Sequence, residues 1–428
     1  MARLTSRLAV GVLALLLLAC AAPRPAATPT LAPSATPTLA PSATPLPRAT
    51  PTPVPSATPA PRRQFTIWAV VPESRQAAFG GWMRDAAHLA DIELSIVMRS
   101  ADGLATDVAA ARLTSIALPD AFYGDQDDLA LLLAAGVIDR SADSIDDARL
   151  LPAAREATAR DGVRWGTPLA AHGALVLLTN RALSDAAPTT VADLIAAAAP
   201  FRDRDQAGLV AGWAEARWFT ALLAATGGAA LDDPAALGRA LDLLAALRAV
   251  GPATPMTYVQ GLELFRAGDA PFAFDGDWAL DTLRAVDPPL DLAYAPLPDD
   301  AAGRPLVGVL TIQALMLRAG LPPDDRTTLG RFATLLLSEP LQRRIAGDFG
   351  MLPALAGLAT PDALPDDAAL RAAARTAALA PGIPPDGAVR CRWELVEQAL
   401  PAFLLEQVSR DDTITRVIED ARRCANAR

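Results

Sequence analysis

Phe65-Thr66-Ile67-Trp68-Ala69-Val70-Val71, stopped by Pro72, is a run of β-branched and aromatic residues that reads as a strand emptying into a loop. The chain after it alternates between two periods. Residues 74 to 90 read as a helix, Ile92-Glu93-Leu94-Ser95-Ile96-Val97-Met98 alternates as a second strand, and Leu104 to Thr114 fits a second helix. Pro119 to Tyr123 then reads as a short strand, and Asp125 to Ala135 as a helix stopped by Gly136. Strands alternating with helices predict a parallel sheet covered on both faces, with ligand expected at the carboxyl ends of strands.

Further along, Asp161-Gly162-Val163-Arg164-Trp165-Gly166-Thr167-Pro168 reads as a hairpin or turn and Ala174 to Thr179 as a buried strand. Helices then dominate to about residue 290. One starts near Thr189-Thr190 with a threonine N-cap, one spans Trp218 to Ala225 before Gly227-Gly228, and one spans Asp233 to Val250 before Gly251-Pro252. Asp291 to Pro296 and Val307 to Gln313 read as strands, Thr327 to Leu337 as a helix, and the final third as helical. Residues 64 to 428 are too many for one typical domain, so two α/β lobes are expected.

Upstream the composition changes completely. From Ala21 to Arg63 the chain is almost all Pro, Ala, Thr, Ser and Leu, and the repeat Thr28-Pro29-Thr30-Leu31-Ala32-Pro33-Ser34-Ala35 restarts at Thr36. Such a segment has too little apolar surface to offset its ordering entropy and favours extended polyproline II, reaching at most roughly 130 Å at about 3.1 Å per residue. It reads as a disordered tether, an interchangeable spacer whose hydroxyls are also acceptors for O-linked sugars. Before it, Arg3 and Arg7 precede an apolar run from Leu8 to Ala19, the pattern of a secretory signal peptide over residues 1–19. That run is shorter than the roughly 20 residues a membrane span needs. Leu17-Leu18-Ala19-Cys20 resembles the lipobox of bacterial lipoproteins, although Leu18 is unusual within it. The resemblance implies that Cys20 is diacylated and becomes the mature N-terminus, held on the outer face of the bacterial cytoplasmic membrane.

Charge and cysteine usage narrow the function further. Loss of Arg3 and Arg7 takes the formal charge from −10 to −12, and every cation is arginine. An acidic chain without a basic stripe is a poor nucleic-acid binder, and the lack of lysine excludes Schiff-base chemistry and a P-loop lysine. With Cys20 lipidated, Cys391 and Cys424 are an even pair at opposite ends of two consecutive helices, where an antiparallel arrangement brings them together. A disulfide is expected; the alternative is two independent buried thiols.

The order of elements and several local signatures resemble the extracellular solute-binding proteins of the maltodextrin-binding type, over nearly all of residues 64–428. The signatures are Thr66-Ile67-Trp68; Pro119 to Tyr123 followed by Ala134 to Ile138; Asp161 to Leu169; Leu177-Leu178-Thr179-Asn180-Arg181; and Phe265-Arg266-Ala267-Gly268 leading to Phe274-Asp275-Gly276-Asp277-Trp278. Val307 to Leu310, Ser338 to Gln342 and Gly350 to Pro353 complete the set. The resemblance implies a periplasmic-binding-protein-like α/β fold: two lobes joined by crossing segments, with ligand trapped between them by hinge closure. It places 64–174 plus 292–345 in the first lobe and 175–291 plus 346–428 in the second, with Asn180 and Pro296 near the crossings. It also implies a monomer without cofactor or metal that hands a small solute, a carbohydrate foremost, to the permease of an ABC transporter.

Sugars present apolar C–H faces and a rim of hydroxyls, so their sites combine aromatic platforms with carboxylates and amides. By resemblance, Trp278 in Gly276-Asp277-Trp278 is the leading platform, and Glu215 stands where an acidic ligand contact is expected. Arg217 replaces an aromatic, for which Trp218 is the substitute. Asp127 matches an acidic contact, while Gly124 replaces a stacking tryptophan that Tyr123 is expected to supply from one position earlier. His172 takes a position otherwise acidic, and Trp393 resembles a C-terminal stacking residue. Glu73 and Ser74 are candidates from their place at the end of the first strand, whereas Trp68 and Trp82 read as core and Trp165 as part of the turn before the hinge. An enzyme is the rival class. Only His88 and His172 are available as imidazoles, no zinc spacing, Gly-x-Ser-x-Gly or phosphate loop occurs, and only a pair of glycoside-active carboxylates is left open. A sensor built on the same two-lobed body is a further possibility for the role, and a polyamine, a peptide or an anion for the ligand.

Overall fold

The computed structural model describes residues 62–426 apart from 101–102, 115, 142–144, 227–230, 232 and 255. The signal peptide, Cys20, almost all of the tether and Gly227-Gly228 lie outside the described residues. The alternating start consists of β1 (Arg63–Val70), α1 (Glu73–Leu89), β2 (Ile92–Arg99), α2 (Leu104–Thr114), β3 (Ala121–Gly124) and α3 (Gln126–Ala134). Next come α4 (Pro152–Ala157), the hairpin β4–β5 (Ala159–Arg160 and Val163–Arg164) and β6 (Thr167–His172). The middle of the chain holds β7 (Leu175–Asn180), α5 (Val191–Arg202), β8 (Leu209–Val210), α6 (Ala216–Ala225), α7 (Pro234–Ala249) and α8 (Tyr258–Arg266). It continues with β9 (Phe272–Gly276), α9 (Leu280–Arg284) and β10 (Leu292–Pro296). The last third supplies β11 (Thr311–Leu317), α10 (Pro323–Leu336), α11 (Glu339–Phe349), β12 (Leu352–Pro353), α12 (Ala368–Ala377), α13 (Gly387–Leu404) and α14 (Arg410–Asn426).

The strands form two principal sheets, one per lobe. The first runs β12-β6-β11-β3-β1-β2, and its β1, β2 and β3 are parallel as the alternation requires. It is not parallel throughout: β11 is antiparallel to both β3 and β6. The reason is topological, because β11 arrives from the second lobe and enters at the end where β3 and β6 finish. Alternation along β1 feeds two cores. Ile67 packs with Trp82, Phe332 and Leu336 on one face, and Trp68 packs with Leu104, Phe122, Leu129 and Met316 on the other.

The second sheet runs β10-β7-β9-β8. Two stretches fall on the other side of the expected boundary: Leu292–Pro296 pairs with β7 in the second sheet, and Leu352–Pro353 pairs with β6 in the first. The chain crosses between lobes at 173–174, between β10 and β11, and between β12 and α12. Pro296 lies opposite Val176 beside a crossing, but Asn180 pairs with Leu292 at the far end of β7. The strand expected over Val307 to Gln313 begins only at Thr311, since Val307–Leu310 is a buried crossing segment whose Leu310 N–H donates to the Pro381 carbonyl. Helices α13 and α14 pack against each other and against α6 and α7 of the second lobe, and the sulfurs of Cys391 and Cys424 are bonded across them with Cα atoms 5.8 Å apart.

Candidate ligand-binding site

β9 delivers the aromatic part of the site. It ends at Gly276, where a Cβ would lie 2.0 Å from the Trp278 ring, so only glycine lets the indole fold back over the strand end. Trp278 is 36% exposed. Its Nε1 donates to Tyr258 Oη at 2.6 Å, and that hydroxyl donates to Asp275 Oδ1 at 3.0 Å. Trp218 meets the Trp278 ring edge-on with centroids 5.7 Å apart, while its own Nε1 donates to the Phe274 carbonyl at 2.8 Å. The platform is therefore held by hydrogen bonds and by a buried ring beneath it.

The polar part lies at the crossings. Asp277 accepts the Gly173 N–H at 2.9 Å, and Arg217 from the first turn of α6 donates to the Gly173 carbonyl at 3.3 Å, the Val309 carbonyl at 3.4 Å and Thr311 Oγ1 at 3.0 Å. The Arg217 guanidinium also lies 5.4 Å from the Trp278 ring centre. Burial pushes Asp277 up to about 6 despite the Gly173 hydrogen bond and the charges of Arg75 and Arg217. Burial, then the Arg217 charge, pushes His172 down to about 4, leaving it neutral with Nε2 3.2 Å from Gln313 Nε2. On the first lobe, Asp125 caps α3 by accepting from the N–H groups of Asp127 and Asp128, and burial followed by the Asp125 charge raises the Asp127 pKa. The opposing charges at Asp127 are Arg390 of α13 and Arg217, so residues from both lobes face one another there.

Beside this line a gap between the lobes encloses about 650 Å³, lined by Ser74 and Arg75 at the start of α1, Asp277, Asp281 and Arg284 around α9, and Leu370 of α12. The volume suits a small ligand.

The expected residues divide by burial. Trp278, Glu215, Arg217, Asp127 and His172 gather around the crossings, with Glu73 and Ser74 exposed at the start of α1. Trp218 and Tyr123 are instead 4% and 3% exposed. Trp218 is a support under Trp278. Tyr123 points into the first lobe against Phe79, with ring centroids 4.6 Å apart, because the alternation of β3 turns that position to the core. Trp393 is half-buried against the second-lobe core. Trp82 and Trp68 are core as expected. Local sequence patterns do not single out Arg75, Tyr258, Asp277, Arg390 or Glu397. Asp277 does follow the end of β9 directly, a signal that could have found it, and Arg75 lies in the first turn of α1; Glu397 accepts the Ala216 N–H at 3.3 Å from a helix 181 residues away, which no local pattern announces. Among the described residues no carboxylate, imidazole and thiol groups cluster to hold a metal ion.

Two α/β lobes, three crossings and a polar gap with an aromatic platform define a two-lobed ligand-binding protein. The chain belongs to the bacterial extracellular solute-binding proteins, whose family model matches residues 86–372. This is a family of binding proteins rather than enzymes, acting outside the cytoplasm. No curated protein is significantly similar to the chain in sequence. Among solved structures, a cyclo/maltodextrin-binding protein complexed with maltotetraose is similar in fold at TM-score 0.75 and 15% identity, over 86% of this chain and 98% of that one. A cyclic α-maltosyl-1,6-maltose binding protein from Arthrobacter globiformis matches at TM-score 0.73 and 19% identity, over 85% and 99% of the two chains. A maltose/maltodextrin-binding domain from Bdellovibrio bacteriovorus bound to maltotriose matches at 0.65 and 18%, over 85% and 100%.

Proposed function

We propose that this protein captures a carbohydrate between its lobes and delivers it to the permease of an ABC transporter, while a diacylated Cys20 and the proline-rich tether hold it at the outer face of the cytoplasmic membrane as a monomer. The observation that carries the reading is Trp278: a large aromatic ring left 36% exposed at a strand end beside the lobe crossings, yet fixed by the Tyr258 hydroxyl. A rigid indole face flanked by carboxylates and guanidinium groups matches a pyranose, whose C–H face stacks while its hydroxyls take hydrogen bonds. Ligand touching both lobes favours the closed arrangement by its extra contacts there, which gives a transporter a shape to distinguish. The fold neighbours that hold maltotetraose and maltotriose support the same chemistry.

The test is a thermal-shift and tryptophan-fluorescence screen of the chain carrying Cys20→Ser against maltodextrins, other sugars, polyols, amino acids and polyamines. A ligand at 100 times its Kd is expected to stabilise by about 2.7 kcal/mol. Silence from every carbohydrate with a response to a polyamine would overturn the carbohydrate reading.

A further inference from the structure

Arg217 and Asp277 both come from the second lobe, and they hold the two peptide groups that flank one residue of the crossing, Gly173. Asp277 takes the Gly173 N–H and Arg217 takes the Gly173 carbonyl. Arg217 goes on to the second crossing at the Val309 carbonyl and to Thr311 Oγ1 at the first residue of β11 in the first lobe. One guanidinium thus joins α6 to two crossings and to the first-lobe sheet. Gly173 is matched to this grip: its φ of +79° suits glycine, and a Cβ there would lie 2.8 Å from Arg217 Nη1 and 3.1 Å from Thr311 Oγ1. The planar fork of arginine serves several acceptors in fixed directions, as an ammonium or a neutral side chain does not.

We propose that Arg217 is a positioning residue of the hinge rather than primarily a ligand contact: with Asp277 it clasps Gly173 and sets the angle between the lobes in the unliganded protein. Rotation of β11 against α6 separates Arg217 from Thr311, so the clasp opposes changes in that angle. Because the same guanidinium lies 5.4 Å from the Trp278 ring centre, a molecule seated on that ring meets the clasp directly. Only this ligand arm rests on the carbohydrate reading above.

The experiment measures the lobe-to-lobe distance in the full chain carrying Cys20→Ser, with spin labels at Leu113→Cys on α2 and Val259→Cys on α8, positions 87% and 64% exposed. Without ligand, Arg217→Met and Thr311→Val are expected to shift or broaden the distance distribution relative to the parent, with Arg217→Lys intermediate. Circular dichroism confirms that each variant is folded, and Thr311→Val serves as the milder change should Arg217→Met fail to fold. Ligand-free distributions identical to the parent in folded variants would overturn the clasp. With maltotriose as probe, Arg217→Met is expected to change affinity at least fivefold, and a parallel change in Thr311→Val, which lies outside the aromatic platform, supports action through the hinge. An affinity change in Arg217→Met with unaltered distances in both variants would make Arg217 a plain ligand contact and overturn the proposal. A parent chain that ignores maltotriose counts against the carbohydrate reading, while the clasp stands or falls on the ligand-free distances.

Discussion

Trp278 and Trp218 are separated by their surroundings, not by their chemistry. The first is held at the surface by the Tyr258 hydroxyl over a glycine, the second is 4% exposed and fills the core below it. Their truncations therefore have different outcomes. Trp278→Ala is expected to weaken carbohydrate binding about tenfold or more with little loss of stability, read by titration calorimetry and thermal unfolding. Trp218→Ala is expected to cost about 3–5 kcal/mol of stability, measured by denaturant unfolding, because it leaves a cavity under the platform. Asp275 carries part of the pH dependence at this scale, beside Asp128 and Asp277, whose carboxyls burial also raises, to about 7 and about 6. Burial pushes Asp275 up to about 7 from its ordinary 3.8, so the folded chain holds its proton more tightly than the unfolded one. The associated stability is complete below about pH 4 and is lost as pH rises toward 7. Asp275→Asn is expected to reduce that decline and to stabilise the protein at pH 8 by on the order of 1–2 kcal/mol. Unfolding curves between pH 4.5 and 8 check it; an undiminished slope would refute the assignment.

At the scale of elements, local patterns are legible where one period dominates. Leu104 to Thr114 is a helix over the same residues that its pattern predicts, and Thr190 caps α5 with its hydroxyl on the Asp193 N–H. Pattern and structure part at Val307–Leu310, where an apolar run is buried as a crossing rather than as a strand: periodicity reports burial, not hydrogen-bonding partners. The C-terminal helices illustrate the opposite case, since residues 33 apart in sequence meet only because α13 and α14 pack against each other. Cys391→Ser is expected to lower stability by about 2–5 kcal/mol, largely through the loosened unfolded chain. Hydrogen exchange should locate the loss in α13 and α14, which also bring Glu397 to the N-terminus of α6.

For the whole molecule, function depends on two lobes that share three crossings, and a carbohydrate that bridges them is expected to shorten the distance between labels on α2 and α8. Spin-label distances with and without maltotriose check this; a bound sugar that leaves the distance unchanged would show capture without closure. What the amino-acid order determined by itself was the alternation of strand and helix, the need for two lobes and an even pair of cysteines, because these follow from local periodicity, chain length and residue chemistry; Trp278 as a platform was implied by the family resemblance alone. What only the tertiary structure decided was which aromatic faces outward, on which side of the hinge Leu292–Pro296 falls, and that Arg217 grips Gly173, Val309 and Thr311. Those outcomes depend on contacts between residues tens to hundreds of positions apart, and local sequence periodicity carries no record of such distances.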